Sequence, residues 1–204
     1  MTELGREYRE RYDEVLKHLA LAVEEQLREY FSGEPRIDRI TARAKGVDSF
    51  LAKAAALDDG KLKYKEPLRQ IQDQVGARIV MYYLSDIQRA AAIVEKYYRQ
   101  IESKTLVPES EWEFGYFGKH YVLLIPSELA SQYENKDYVP EFFELQLKTL
   151  FQHAWSEGQH DLGYKPGAFP VSPDAKRRLA YTSAQAWGAD RTFEELFREL
   201  QGEG

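Results

Sequence analysis

Polar side chains recur at every second position in two separate segments of the chain, and the two segments differ in charge. Side chains alternate between the faces of a β-strand, so each segment would present one polar stripe on a sheet. The stripe of segment 36–45 contains Arg39, Thr41, Arg43 and Lys45, and that of segment 142–149 contains Glu144, Gln146 and Lys148. One such stripe is typical of a sheet face open to water. Two stripes of differing charge favour a binding site.

Further charges close to these stripes indicate which ligand the site would take. Lys53 and Arg78 can join the cations, and Asp73 adds a second carboxylate to that of Glu144 near a strand end. Cations neutralise phosphate oxygens, whereas carboxylate oxygens are the ligands that Mg²⁺ prefers. These residue types therefore predict a site for a nucleoside triphosphate with Mg²⁺.

Other candidate motifs are less specific. Residues 115–118 contain two glycines, but they lack the glycine pattern of a Rossmann turn and the Gly-Lys-Ser/Thr of a P-loop. On a predicted helix, His153, Glu157 and His160 share one side, but their order is not His-Glu-x-x-His. That order favours a hydrogen-bonded pocket wall over a metal site.

The composition excludes several classes of function. The chain has 204 residues, 30% of them charged, with a net charge of −6 and no cysteine. Thiol nucleophiles, Fe–S clusters and disulfides are therefore excluded, and the acidic balance argues against binding duplex nucleic acid through overall charge. The charged N-terminus and the lack of an 18-residue apolar run predict a cytoplasmic protein with no membrane partner.

The hydrophobic periodicity changes several times along the chain. Its order predicts an α/β or α+β domain in which long helices at both ends flank a sheet. The predicted helices cover 3–31, a short stretch from Asp48 or Ser49, a turn from Pro67 to about Asp73, 85–98, 150–164 and 173–200. The predicted strands cover 36–45, 77–83, 121–125 and 142–149, with a looser stretch at 99–118 and a loop at 165–171.

Four blocks of this sequence, in this order, resemble the synthetase domain of RelA/SpoT proteins. They are Arg43-x-Lys45-x₃-Ser49-x₃-Lys53, Asp73-x-x-Gly76-x-Arg78-Ile-Val, Gly115-Tyr116-x₃-His120, and Glu144-x-Gln146-x-Lys148-Thr149 followed by His153-Ala-Trp155. The resemblance spans about 36–200. It implies a nucleotidyltransferase-like mixed sheet, with an N-terminal helix at 1–35, the synthetase core at 36–171 and a C-terminal helical segment at 172–204 packed on the same domain.

The resemblance implies an enzyme that transfers the β,γ-diphosphate of ATP to the 3′-hydroxyl of GDP or GTP and so makes (p)ppGpp. Its residue roles carry over by match. Adenine would stack between Arg43 and Arg78, and the phosphates of ATP would be held by Lys45, Ser49 and Lys53. Asp73 and Glu144 would be catalytic and bind Mg²⁺, with Glu144 drawing the proton from the hydroxyl. The acceptor would be bound by Tyr116, which stacks on its base, and by His120, Gln146, Lys148 and His153.

Departures from the family pattern cluster on the acceptor side. Phe114 stands where Asn is usual, Gly118 replaces Ser, Lys119 replaces an apolar residue and Lys148 replaces Arg. Trp112, Phe114 and Phe117 would cover the core or reshape the base pocket. Two alternative functions therefore stay open: a toxin-type relative that uses adenine nucleotides or the tRNA 3′ end and has an antitoxin partner, and a catalytically weak nucleotide-binding module. Separately, the long terminal helices would either complete the fold or form the interface of a homo-oligomer. The length leaves room for a synthetase and none for the family's hydrolase domain.

Overall fold

The computed structural model describes residues 2–105, 115–116, 118–164 and 171–202. The chain begins with a helix in which Thr2 accepts a hydrogen bond from the backbone N–H of Gly5. This helix consists of α1 (Glu3–Arg11), a π-helical turn (Tyr12–Leu16) and α2 (Lys17–Tyr30). The predicted helix is confirmed, with one π turn that its periodicity did not reveal. Such turns frequently occur near functional sites.

The middle of the chain alternates strands with short helices. Its elements are β1 (Ile37–Ala44), α3 (Val47–Ala54), the hairpin β2 (Leu57–Asp58) and β3 (Lys61–Leu62), α4 (Pro67–Gln70), a 3₁₀ turn (Gln72–Gln74), β4 (Val75–Met81), α5 (Leu84–Tyr97), β5 (Gln100–Thr105) and β6 (Lys119–Leu124). After them come α6 (Ser127–Ala130), a 3₁₀ turn (Lys136–Tyr138), β7 (Phe142–Thr149), α7 (Leu150–Gln159), a π turn (His160–Tyr164) and α8 (Pro173–Gln201).

Strand β5 lies in the stretch predicted to be loose, and that prediction was wrong. Its sequence, Gln-Ile-Glu-Ser-Lys-Thr, has one apolar side chain, and that residue, Ile101, is 51% exposed. An edge strand that faces water needs no hydrophobic alternation, so periodicity cannot detect it. Pairing with β6 holds it in the sheet. The predicted aromatic cover, Trp112, Phe114 and Phe117, lies outside the described residues, as does most of the 165–171 loop.

Five of the seven strands in the described ranges form one mixed sheet in the order β1-β4-β7-β6-β5, and β2 and β3 pair separately. Strands β4 and β7 are parallel, and the other neighbours are antiparallel. One face carries the buried apolar residues of the strands and packs against α2 and α5. The other face carries the polar stripes. The predicted mixed α/β fold is therefore confirmed, while the division at residues 35 and 171 stays a prediction.

Helix α8 contacts the helices of both sheet faces. It begins at Ser172, whose Oγ accepts a hydrogen bond from the backbone N–H of Ala175, and Pro173 takes the first helical position, as predicted. Helix α8 packs across α7 and α5. Of the helices in the described ranges, none is long and apolar enough to cross a bilayer.

Candidate active site

The register of the sheet brings the two polar stripes together. Across β1, β4 and β7, Arg43 is level with Gly76 and Glu144. One step along, Arg78 of β4 is level with Gln146 of β7, which is level in turn with His120 of β6. Because residues two apart in a strand share a face, the cationic and acidic stripes form one continuous polar face.

Asp73 and two lysines form an ion-pair cluster at one end of this face. Lys45 Nζ donates to Asp73 Oδ2 at 2.9 Å, and Lys53 Nζ lies 3.0 Å from Asp73 Oδ1 in an ion pair without hydrogen-bond alignment. Burial lowers the pKa of Lys53, but Asp73 outweighs it, so the pKa is raised. Lys53 is therefore charged, and Asp73 orients both lysines before a ligand arrives. We call Arg43, Lys45, Ser49, Lys53 and Asp73 the donor side.

Arg43 and Ser49, the other two donor-side residues, are exposed. Arg43 extends from the edge strand β1, and Ser49 lies in the first turns of α3. Neither side chain makes a hydrogen bond or ion pair with the described part of the chain. Both are therefore available to a ligand, as their predicted roles require.

The N-terminal helix contacts the segments that carry the donor side, and sequence reasoning did not predict these contacts. Tyr8 donates from its hydroxyl to Lys45 O at 2.8 Å, and its ring stacks on Phe50 of α3 with centroids 3.6 Å apart. The buried Arg11 donates to Leu68 O at 2.7 Å and to Gln74 Oε1 at 2.8 Å. Gln74 directly follows Asp73, so these contacts hold the turn that carries the carboxylate.

Arg78 links the sheet to α7. Its Nη1 donates to Glu157 Oε1 at 2.7 Å and lies 3.0 Å from His153 Nδ1, and its Nε lies 3.3 Å from Gln146 Oε1. Burial and the nearby Arg78 cation lower the pKa of His153. A neutral His153 can accept the hydrogen bond from Arg78. Two residues of the predicted helix face, His153 and Glu157, thus contact the polar face through Arg78.

Glu144 lies among hydrogen-bond donors at the centre of the face. Gln146 Nε2 donates to Glu144 Oε1 at 2.6 Å, and His120 Nδ1 lies 3.4 Å from the same oxygen. Burial alone would raise the pKa of Glu144, but the bonds from His120 and Gln146 outweigh it and lower the pKa to about 2. The carboxylate is therefore ionised at neutral pH. The buried His120 Nε2 has no partner within the described residues.

Lys148 lies on the same face but is covered by α7. It is 4% exposed, and its Nζ donates to Ser156 Oγ at 2.8 Å. Burial, together with the Arg78 cation, lowers its pKa to about 8. Lys148 is thus a buried amine beneath α7, and an acceptor can contact it only if α7 leaves its Nζ accessible.

Tyr116 is buried as well, which differs from the exposed ring expected of a base-stacking residue. Its hydroxyl donates to Asp190 Oδ2 of α8 at 2.6 Å. Nearby, a Cβ atom on Gly118 would lie 2.0 Å from Leu147 O, so the backbone lies against β7 more closely than the family's Ser would allow. Stacking on a base therefore stays a prediction. We call Tyr116, His120, Gln146, Lys148 and His153 the acceptor side.

The carboxylates of Asp73 and Glu144 suit a hard divalent cation. The 3₁₀ turn that carries Asp73 packs beside β7, the strand of Glu144. Both carboxylates contribute to raising the pKa of Lys53. Across the described ranges, no three or more His, Asp or Glu residues gather into a complete metal site. Two carboxylates with phosphate oxygens and water is the ligand set that Mg²⁺ takes in nucleotide sites. The residues present therefore fit the ion.

This fold, with its lysine–aspartate cluster beside an ionised glutamate, is that of a nucleotide-binding transferase. A family model described as the region found in RelA / SpoT proteins matches residues 42–168. The chain is also 30% identical over 181 residues to GTP pyrophosphokinase YjbM of Bacillus subtilis, covering 86% of this chain and 79% of that protein. The chain belongs to the RelA/SpoT family.

Solved structures share the whole architecture. Small alarmone synthetase 1 of Bacillus subtilis bound to its product pppGpp superposes with a TM-score of 0.71 at 25% identity, covering 96% of this chain and 97% of that one. A GTP pyrophosphokinase family protein of Streptococcus pneumoniae has the same fold, with a TM-score of 0.71 at 23% identity over 99% and 97% of the two chains. Because these matches extend beyond residues 42–168, the terminal helices belong to the shared fold.

Proposed function

We propose that this protein transfers the β,γ-diphosphate of ATP to the 3′-hydroxyl of GDP or GTP, releases AMP and so makes (p)ppGpp. The observation that carries the proposal is the meeting of two groups on one sheet face. The oriented lysines with Asp73 form one group, and the ionised Glu144 with His120 and Gln146 forms the other. Family membership, the YjbM relative and the pppGpp-bound synthetase support the same reaction.

The donor side and Arg78 bind ATP in this proposal. Arg43 and Arg78 would stack on the adenine, since planar guanidinium groups stack well on rings. Lys45 and Lys53 would turn from Asp73 to the phosphates, with Ser49 donating a further hydrogen bond. Because both lysines already have a carboxylate partner, a phosphate replaces one anion with another and the backbone need not move.

The acceptor hydroxyl would react beside Glu144. Its 3′-oxygen bonds to the β-phosphorus, the bond from that phosphorus to the α,β-bridging oxygen breaks, AMP leaves and the hydroxyl proton passes to Glu144. A pKa of about 2 makes Glu144 a weak base. Phosphoryl transfer through a loose transition state depends on positioning and charge more than on base strength. The ionised carboxylate also suits a metal ligand.

Mg²⁺ is the cofactor in this proposal, held by Asp73 and Glu144. When bound, the ion neutralises charge that develops on the phosphate oxygens. The protein groups that complement it are Lys45 and Lys53, which contact Asp73 and would bind the same phosphates.

The test is AMP release from ATP with Mg²⁺ and each nucleotide acceptor in turn, followed by mass analysis of the products. Glu144→Gln should abolish release, because the amide cannot take the proton or hold the metal charge. The exposed Glu141, just before the same strand, supplies the control Glu141→Gln, which should keep wild-type activity. If no acceptor gives AMP while ATP still binds, the chain is a nucleotide-binding module instead.

The same product analysis decides between acceptors. Gly118, Lys119 and Lys148 depart from the family pattern on the predicted acceptor side, and the close packing of Gly118 against Leu147 O supports a toxin-type relative as the second candidate. An adenine nucleotide or the tRNA 3′ end would then be modified, and an antitoxin would be a partner. Homo-oligomer formation and a cytoplasmic location also stay predictions. The exposed Phe193, Leu196 and Leu200 of α8 are side chains that a second copy would bury.

A further inference from the structure

Asp190 of α8 is a buried carboxylate outside every motif of the family resemblance. It is 1% exposed. Its Oδ2 accepts hydrogen bonds from the Tyr116 hydroxyl at 2.6 Å and from Thr149 Oγ1. These two partners lie 74 and 41 residues away in the chain. One carboxylate thus ties the C-terminal helix to two separate parts of the acceptor side.

Stability alone does not explain a carboxylate at this position. Burial raises the pKa of Asp190, and the bonds from Thr149 and Tyr116 only partly offset it. No cation is paired with it within the described residues, and its Oδ1 is buried without a hydrogen-bond partner. A buried, unpaired carboxylate is costly, and an apolar residue of similar volume usually serves a core better. A buried polar atom without a partner calls for a further explanation.

The partners of Asp190 lead to that explanation. Thr149 is the N-cap of α7, and its Oγ1 accepts from the backbone N–H of Gln152. Helix α7 in turn places His153 against Arg78 and Ser156 against Lys148. Tyr116 anchors the segment before β6, where Gly118 lies against Leu147 O. The start of α7 and the segment that contains Tyr116 both carry acceptor-side residues, and Asp190 accepts a hydrogen bond from each of them.

We infer that Asp190 is a positioning residue for the acceptor: it fixes the Tyr116 segment and the start of α7 through two hydroxyl hydrogen bonds. The inference rests on the proposed transfer reaction. It assigns Tyr116 an anchoring role through its hydroxyl, whereas the family resemblance assigns a role to its ring. Removal of the Tyr116 hydroxyl distinguishes the two roles, because it would weaken acceptor binding if the hydroxyl anchors the segment and would leave it unchanged if only the ring acts.

Tyr116→Phe is the deciding variant, because it keeps the ring and removes the hydroxyl that donates to Asp190 and also contacts Gln152 in the first turn of α7. Anchoring predicts a rise in the acceptor KM of about tenfold, as expected for the loss of a hydrogen bond to a charged group. The KM for ATP should stay within about twofold, because Thr149 still caps α7 in this variant and Arg78 keeps its contacts with that helix. Stacking alone predicts a wild-type acceptor KM, and that result would overturn the inference.

Asp190→Ala completes a double-mutant cycle. The single variant should raise the acceptor KM at least as much as Tyr116→Phe, and adding Tyr116→Phe should change it little further, because the bond is already lost. Additive effects would contradict the coupling. If Asp190→Ala does not fold, Tyr116→Phe still decides the question. The control is Glu195→Gln, an exposed acid on the same helix, which should match the wild type.

Two readings separate this inference from the proposed function. If wild-type protein releases no AMP with any acceptor, the transfer reaction fails, and the inference that rests on it is overturned as well. If the wild type is active and both variants raise the KM values for ATP and acceptor by the same factor, the reaction stands and Asp190 is only a structural residue, which refutes the inference.

Discussion

The donor and acceptor sides of the polar face differ in how their charges are compensated. On the donor side, Lys45 and Lys53 pair with Asp73 while all three stay partly exposed. On the acceptor side, Lys148 and Tyr116 are buried. Lys148 donates to the neutral hydroxyl of Ser156, and Tyr116 donates to Asp190, which lies 74 residues away in the chain. Exposed ion pairs exchange partners at low cost, whereas a buried polar group that loses its partner is costly. We therefore expect the donor-side lysines to exchange Asp73 for phosphate oxygens at low cost, and we expect acceptor selectivity to depend on the acceptor side.

Each side is supported by a different end of the chain. Tyr8 and Arg11 of the N-terminal helix contact the donor segments. Asp190 of the C-terminal helix contacts the acceptor segments. A variant at one end should therefore change the kinetics of one substrate. The following variants test that separation, beginning with the largest expected effect.

Asp73→Asn should remove the donor side's metal ligand and the partner of both lysines. We expect kcat/KM to fall on the order of a thousandfold, since a metal contributes several kcal/mol to such reactions. The loss should appear in Mg²⁺ and ATP titrations, while binding of the acceptor alone, measured by calorimetry, stays unchanged. Asp48→Asn, an exposed acid on α3, is the control. An equal loss of acceptor binding would show that the sides are not separable.

Arg11→Met should have the next largest effect, and mainly on stability. The change leaves Gln74 Oε1 without its donor and removes the bonds from Arg11 to Leu68 O and Asp137 O, so the free energy of unfolding should fall by about 2–3 kcal/mol in urea denaturation. The folded fraction should show a raised KM for ATP and an unaltered acceptor KM. Arg9→Met, an exposed residue two positions earlier, should change neither quantity. A raised acceptor KM would contradict the proposed support of the donor side alone.

Lys148 predicts a smaller effect that depends on pH. Because its pKa is lowered to about 8, the amine is charged below pH 8 and neutral above it. If its charge attracts acceptor phosphates, the acceptor kcat/KM should fall about tenfold between pH 7 and 9, as the protonated fraction does.

Lys148→Arg should remove this alkaline loss, since the guanidinium group stays charged. The exposed Lys96 supplies the control Lys96→Arg, which should keep the wild-type profile. A pH profile that Lys148→Arg leaves unchanged would show that this amine does not act on the acceptor.

Sequence reasoning predicted those features that depend on neighbouring residues. Alternation along β1 and β7 predicted which side chains share a face, because the strand repeat of two follows from backbone geometry. The capping pattern of Ser172 and Pro173 predicted where α8 begins. Strand β5 was missed because a polar edge strand has no hydrophobic repeat. The family resemblance implied that Lys45, Lys53 and Asp73 belong to one site, and the ion pairs of both lysines with Asp73 agree with that.

What the sequence by itself determined is the inventory of the polar face: two stripes, two carboxylates and the cations that accompany them. Only the tertiary structure decided which of these groups are open and which are covered. Lys45 and Lys148 have the same side chain, yet one is paired at the surface and the other is buried under α7. Burial and long-range contacts, such as that of Arg11 with Gln74 63 residues away, depend on how elements pack and leave no mark in residue spacing. The chemistry of each side chain is local, whereas its environment is a property of the whole fold.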